Sequence, residues 1–149
     1  MKAYELKELE LAYAPPYSSA KDPVNLAGYI IDNIKNGLVK QFEYNDLNRL
    51  KEEDNILLDT RTKEEYTRGH AEGFINIPLD ALRSSLELLP KDKKIYVMCQ
   101  SGLRSYIATR ILMQNGYDAY NFIGGYRLYS SIFNDEILAM HSLPCGLEK

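Results

Sequence analysis

An α/β fold with a central, mainly parallel sheet and helices on both faces is predicted from residue 45 onward by three observations. Short apolar runs bounded by Asp, Lys or Gly recur along the chain, as expected of strands covered on both faces. Segments of helical period lie between them. Gly and Pro punctuate the boundaries, and such strand and helix alternation defines an α/β sandwich.

The elements follow in order. Residues 46–53, DLNRLKEE, predict a turn of helix, and NILLD (55–59) a strand. TKEEYTRG (62–69) predicts a helix and GFINIP (73–78) an extended segment. LDALRSSLELLP (79–90) predicts a helix on which Leu79, Leu82, Leu86 and Leu89 share a face. KIYVMC (94–99) is a strand, and residues 104–114 a helix with Ile107, Ile111 and Leu112 on one side. AYNFI (119–123) is a short strand, and Gly124 and Gly125 make a turn.

The first forty residues differ. A Pro-Pro pair and a Ser-Ser-Ala-Lys-Asp-Pro loop precede a helix expected from Val24 to about Asn36, with Pro23 near its first turn. Leu26, Ile30, Ile31 and Ile34 would form its apolar stripe, expected to pack on the following domain or on a second copy of the chain as a homodimer.

Composition narrows the function. With 149 residues, 45% apolar and 26% charged, the chain can bury a core. A net charge of −3 and no basic stripe argue against nucleic acid or an acidic membrane as partner. The N-terminus lacks a signal-peptide pattern, no apolar run reaches the roughly eighteen residues of a membrane span, and a cytoplasmic location is expected. The two cysteines, Cys99 and Cys145, have no zinc-like spacing.

Cys99 stands at a strand end, where ligands sit in α/β sheets. The Gln100, Ser101, Gly102 and Leu103 that follow can curl into a nest of inward N–H groups, with Gly102 free to take a positive φ. A helix N-terminus and Arg104 would add positive charge and favour the thiolate. The alternative is a small buried hydrophobe at a strand end. The Gly and Arg at loop spacing favour a functional cysteine.

Cys99-Gln100-Ser101-Gly102-Leu103-Arg104-Ser105 resembles the active-site loop of the rhodanese-like sulfurtransferases. Upstream, LLDTRTKEEYTRGHAEGFINIPL is similar to that family's Asp-x-Arg, Gly-His and Asn-Ile-Pro segments; downstream, NGYDAYNFIGGYRLY is similar to its strand and Gly-Gly turn. Ala71, Glu72 and Phe74 depart from the usual Ile, Pro and Ala, and Tyr129 stands where many members have Trp. The resemblance implies a three-layer rhodanese-like fold over residues 41–149 and a sulfur carrier at Cys99. Gln100 to Ser105 would hold the persulfide, and Arg104 would draw in a small anionic donor such as thiosulfate, a polysulfide or a low-molecular-weight persulfide. A thiol or cyanide would accept the sulfur. Phosphatases and arsenate reductases resembling this fold have one more residue between Cys and Arg, and non-catalytic binding modules often lack the Cys.

Asp59 and Arg61 are expected to be structural, the Asp capping the next helix and the Arg paired nearby. His70 is expected to be a partly buried, loop-stabilising residue, His141 a surface residue, and Cys145 a bystander thiol rather than a resolving one. Residues 13–23, YAPPYSSAKDP, resemble the end of the dimerisation domain of coenzyme A disulfide reductases and related NADH oxidases, with Tyr17 in place of Phe. Residues 1–40 are therefore expected to be a reductase remnant, with coenzyme A as a donor or acceptor and reductase domains as partners in a fusion. FAD and NADH would belong to that reductase half, because this chain carries no Gly-rich dinucleotide fingerprint and no metal or cofactor site of its own.

Overall fold

The computed structural model describes residues 1–11 and 22–141, with side chains up to residue 134. The Pro-Pro loop, Cys145 and the side chain of His141 lie outside the described residues. The chain divides into two compact units, Met1–Lys40 and Gln41–Lys149.

In the first unit a 3-10 turn, Ala3–Glu8, packs on helix α1, Pro23–Lys35. Asp22 caps α1 by accepting the Val24 N–H at 2.8 Å, and Pro23 occupies the first helical position, where its missing N–H costs nothing. Asn25 donates its side-chain amide to the carbonyls of Leu6 and Leu9, and Lys7 pairs with Asp32 at 2.7 Å. Gly28 is the buried residue of α1, whereas Leu26, Ile30 and Ile34 are 43%, 49% and 41% exposed. Three of the four residues of the predicted stripe thus stay open.

The second unit is a five-stranded sheet, all of its pairs parallel. Its strands are β1 (Gln41–Phe42), β2 (Ile56–Asp59), β3 (Ile75–Asn76), β4 (Ile95–Met98) and β5 (Ala119–Phe122), in the order β1-β5-β4-β2-β3. Helices α2 (Leu47–Glu52), α3 (Lys63–Arg68), α4 (Leu79–Leu82), α5 (Leu103–Gln114) and α6 (Gly125–His141) complete it. Strand alternation sends side chains to two cores. Leu57, Tyr96, Met98 and Phe122 join Leu47, Leu50 and Tyr129 on one face. Leu58, Ile95, Val97 and Ala119 join Leu82, Ala108, Ile111 and Leu112 on the other. The departures Ala71, Phe74 and Tyr129 are all buried in the first core.

Three expectations need correction. The helix predicted over 79–90 holds α-geometry only as far as Leu82 and continues as a 3-10 segment, Arg83–Leu88. Ile107 is 39% exposed, at the solvent edge of the α5 stripe that Ile111 and Leu112 bury. Helix α3 is capped not by Asp59 but by Thr62, whose hydroxyl accepts the Glu65 N–H while the Glu65 carboxylate accepts the Thr62 N–H, a reciprocal capping box.

Candidate active site

Cys99 directly follows β4, the central strand, and is followed four residues later by α5. Gly102 makes the turn between them with φ +112°, a value that side chains with a Cβ rarely adopt, so the loop can reverse into the helix within three residues. The reversal aims the Gly102 N–H at Cys99 Sγ, 3.1 Å away. In the first turn of α5, the Ser105 hydroxyl stands 3.2 Å from the same sulfur and 3.1 Å from the Gly102 carbonyl oxygen. The sulfur therefore faces two donors at the start of a helix, where partial positive charge accumulates. Cys99 is 1% exposed, and Leu103, on the rim, is 69% exposed.

The backbone of the loop is held from the other side. Tyr126 N–H donates to the Cys99 carbonyl at 2.7 Å and Arg127 N–H to the Gln100 carbonyl at 3.1 Å, both from the first turn of α6. Gly125 permits this contact: a Cβ there would lie 2.7 Å from the Cys99 oxygen. Thr60, directly after neighbouring strand β2, donates both its N–H and its hydroxyl to the Met98 carbonyl, at 2.9 and 3.1 Å.

Asp59 and Arg61 form a buried ion pair beneath the loop. The Arg61 guanidinium reaches Asp59 at 2.7 Å, the Gly69 carbonyl at 2.8 Å and the Gln100 side-chain oxygen at 3.3 Å, and lies 3.9 Å over the Tyr126 ring. Asp59 also accepts the Arg61 N–H. The pair thus ties the end of β2 to the loop after β4: Arg61 is paired nearby as expected, while Asp59 serves as its counterion instead of capping α3.

Arg104 lies within electrostatic reach of Cys99 and is at the same time paired. Its guanidinium is bound in a fork by Glu65 on α3, at 2.6 and 2.7 Å, with both side chains about one-third exposed. Those hydrogen bonds, with help from the Thr62 N–H, hold the Glu65 carboxyl down at about 2. Glu65 is the residue that sequence reasoning missed; the Thr62-x-x-Glu65 spacing marks it as a capping residue but does not reveal its second partner. Ser101 is exposed and makes no described contact with the sulfur. His70 is exposed rather than partly buried. Its ring stacks on Tyr66 at 3.9 Å, with Nδ1 3.0 Å from the Tyr66 carbonyl oxygen. Among the described residues no group of three or more His, Cys, Asp or Glu converges as metal ligands, and no helix is long and apolar enough to cross a membrane.

A parallel sheet with a cysteine loop at the carboxyl end of its central strand defines a class of small α/β domain, and the comparisons place this one. The chain belongs to the rhodanese-like domain family, whose model matches residues 43–131. Among curated proteins it is 37% identical, over 65 residues, to a sulfurtransferase of Allochromatium vinosum; the match covers 44% of this chain and 61% of that protein. Among solved structures, the reduced CoADR-RHD of Bacillus anthracis is 46% identical with a TM-score of 0.86, over 91% of this chain and 24% of that one. The NAD-dependent persulfide reductase of A. fulgidus is 40% identical with a TM-score of 0.70, over 84% and 22%. This chain thus spans under two thirds of that sulfurtransferase and about a quarter of each reductase. The likeness to CoADR-RHD extends well beyond residues 43–131, into the first unit.

Proposed function

We propose that the chain is a sulfurtransferase that carries sulfane sulfur on Cys99. The observation that carries this reading is the pair of donors, Gly102 N–H and Ser105 O–H, converging on Cys99 Sγ at the end of the central strand. Preorganised donors stabilise an anionic sulfur without reorganising during the reaction. The Cys99 thiolate attacks the outer sulfur of a donor, forming a new S–S bond. The donor's S–S bond breaks, and sulfite or a thiolate leaves with the electron pair. An acceptor thiol or cyanide then takes the outer sulfur, and the Cys99 thiolate returns.

The likeness to two reductases supports a setting in which the rhodanese-like domain works beside a flavin and pyridine-nucleotide reductase. There coenzyme A would be a donor or acceptor, and the reductase half would reduce the resulting persulfide. Residues 1–40 are, in this reading, the end of the reductase dimerisation domain.

Mass spectrometry of the chain after treatment with thiosulfate or polysulfide tests the proposal. One added sulfur atom on Cys99, lost in Cys99→Ala, is the expected result. No adduct, or equal turnover by Cys99→Ala, overturns it.

A further inference from the structure

Arg104 carries the only formal charge between Cys99 and Ser105, and the structure assigns that charge a partner: both terminal nitrogens of its guanidinium are taken by the Glu65 carboxylate. Glu65 is itself fixed, since one of its oxygens also accepts the Thr62 N–H at 2.9 Å as part of the α3 cap. Arg61 is paired with Asp59. Arg68 lines a shallow cleft with Arg61, Glu65, Gln100 and Tyr126 and lies outside both of these pairs. At the sulfur itself an incoming donor meets the dipoles of the loop and the helix start, with Arg68 in the wall of the cleft.

We propose that Glu65 is a positioning residue that selects donors by charge: by holding Arg104 it withholds the loop's one full positive charge, so the site favours singly charged alkyl persulfides over dianionic thiosulfate. This rests on the sulfurtransferase reading above. Both reactions balance without an added oxidant or reductant. With thiosulfate the Cys99 thiolate gains the outer sulfur, and sulfite leaves with the electrons of the broken S–S bond. With an alkyl persulfide anion the same attack on the outer sulfur gives the Cys99 persulfide anion, and an alkyl thiolate leaves with the electrons of the broken S–S bond. The two donors differ in the charge they bring to a thiolate, and one freed guanidinium a few Å away is worth about tenfold per unit of donor charge in partly hydrated surroundings.

The test measures single-turnover sulfur loading of Cys99 in the whole chain, by mass, with thiosulfate and with 2-hydroxyethyl persulfide as donors. The wild-type chain is expected to load faster from the persulfide. Glu65→Gln should raise the thiosulfate-to-persulfide rate ratio about tenfold, and Arg104→Gln, which leaves Glu65 unpaired, should lower it by a similar factor. The double variant should return to the wild-type ratio. Thiosulfate loading of Glu65→Gln should also fall as NaCl is added, while wild-type loading changes little. A ratio that neither single variant moves, or one that Glu65→Gln lowers, overturns the inference and leaves the sulfurtransferase reading standing. If Glu65→Gln does not fold, Arg104→Gln and the double variant decide alone, since an unchanged ratio in the former is equally fatal. Failure of wild-type Cys99 to accept sulfur from either donor overturns the function itself.

Discussion

Arg61 is 2% exposed and Asp59 is fully buried, so each depends on the other for its solvation. Removing one partner of such a pair leaves the other charge buried and uncompensated, a cost of about 3–5 kcal/mol. Asp59→Ala is therefore expected to lower the unfolding free energy by about 3 kcal/mol or more in urea titration. It should also slow sulfur loading of Cys99, because Arg61 would no longer be fixed against Gln100. Glu65 makes a different expectation, in acid. Its carboxyl titrates at about 2 in the folded chain against 4.5 for the unperturbed group, so the folded state favours the ionised form. The resulting stability is fully present above pH 4.5 and is lost as pH falls towards 2. The shift alone would amount to about 3 kcal/mol, and solvent screening of this one-third-exposed pair reduces it to about 1–2. Urea midpoints measured from pH 6 to pH 2 should fall less steeply for Glu65→Gln than for the wild-type chain. Equal slopes would show that the ion pair contributes no acid-sensitive stability.

Strand β4, its loop and helix α5 were legible from the sequence because local pattern specifies them: a buried apolar run, a Gly at the reversal, and a helical period. Predicted and observed ends differ by one residue, Cys99 against Met98 and Arg104 against Leu103. The elements that hold this unit in place were not legible. Strand β1 has two residues, too few for any alternation, and exists through its parallel pairing with β5. The Glu65–Arg104 contact joins residues 39 apart and requires that β2 lie beside β4, with Asp59 opposite Met98, so that α3 and the loop share one edge. The first turn of α6 is similar: a Gly-Gly turn is readable, but its contact with the Cys99 and Gln100 carbonyls is not. That contact predicts the effect of Gly125→Ala. The residue has φ +65°, and the new Cβ would fall 2.7 Å from the Cys99 oxygen and from the Gln100 carbonyl. Strain and displacement together should cost about 1–3 kcal/mol. Loading of Cys99 should fall further than stability alone explains, because the displaced atoms belong to the Cys99 and Gln100 peptides themselves. An unchanged loading rate in a folded Gly125→Ala chain would show that the α6 turn does not position the cysteine.

The two units differ in what each contains. Every residue of both core clusters lies between Phe42 and Tyr129, and every contact described around Cys99, from Asp59 to Arg127, lies within the same span. All five strands belong to the second unit. A domain whose core and site are both internal to it should fold without its neighbour. The chain cut to residues 41–149 is therefore expected to unfold cooperatively and to load sulfur on Cys99 within about twofold of the whole chain's rate, since no charged or hydrogen-bonding group of the site has been removed. A melting curve and the mass-based loading assay on the shortened chain check this directly. Loss of cooperative unfolding would mean that residues 1–40 contribute to the core of the second unit. A folded fragment that loads sulfur much more slowly would mean that the first unit acts on the Cys99 loop, and that the boundary between the units divides a functional whole.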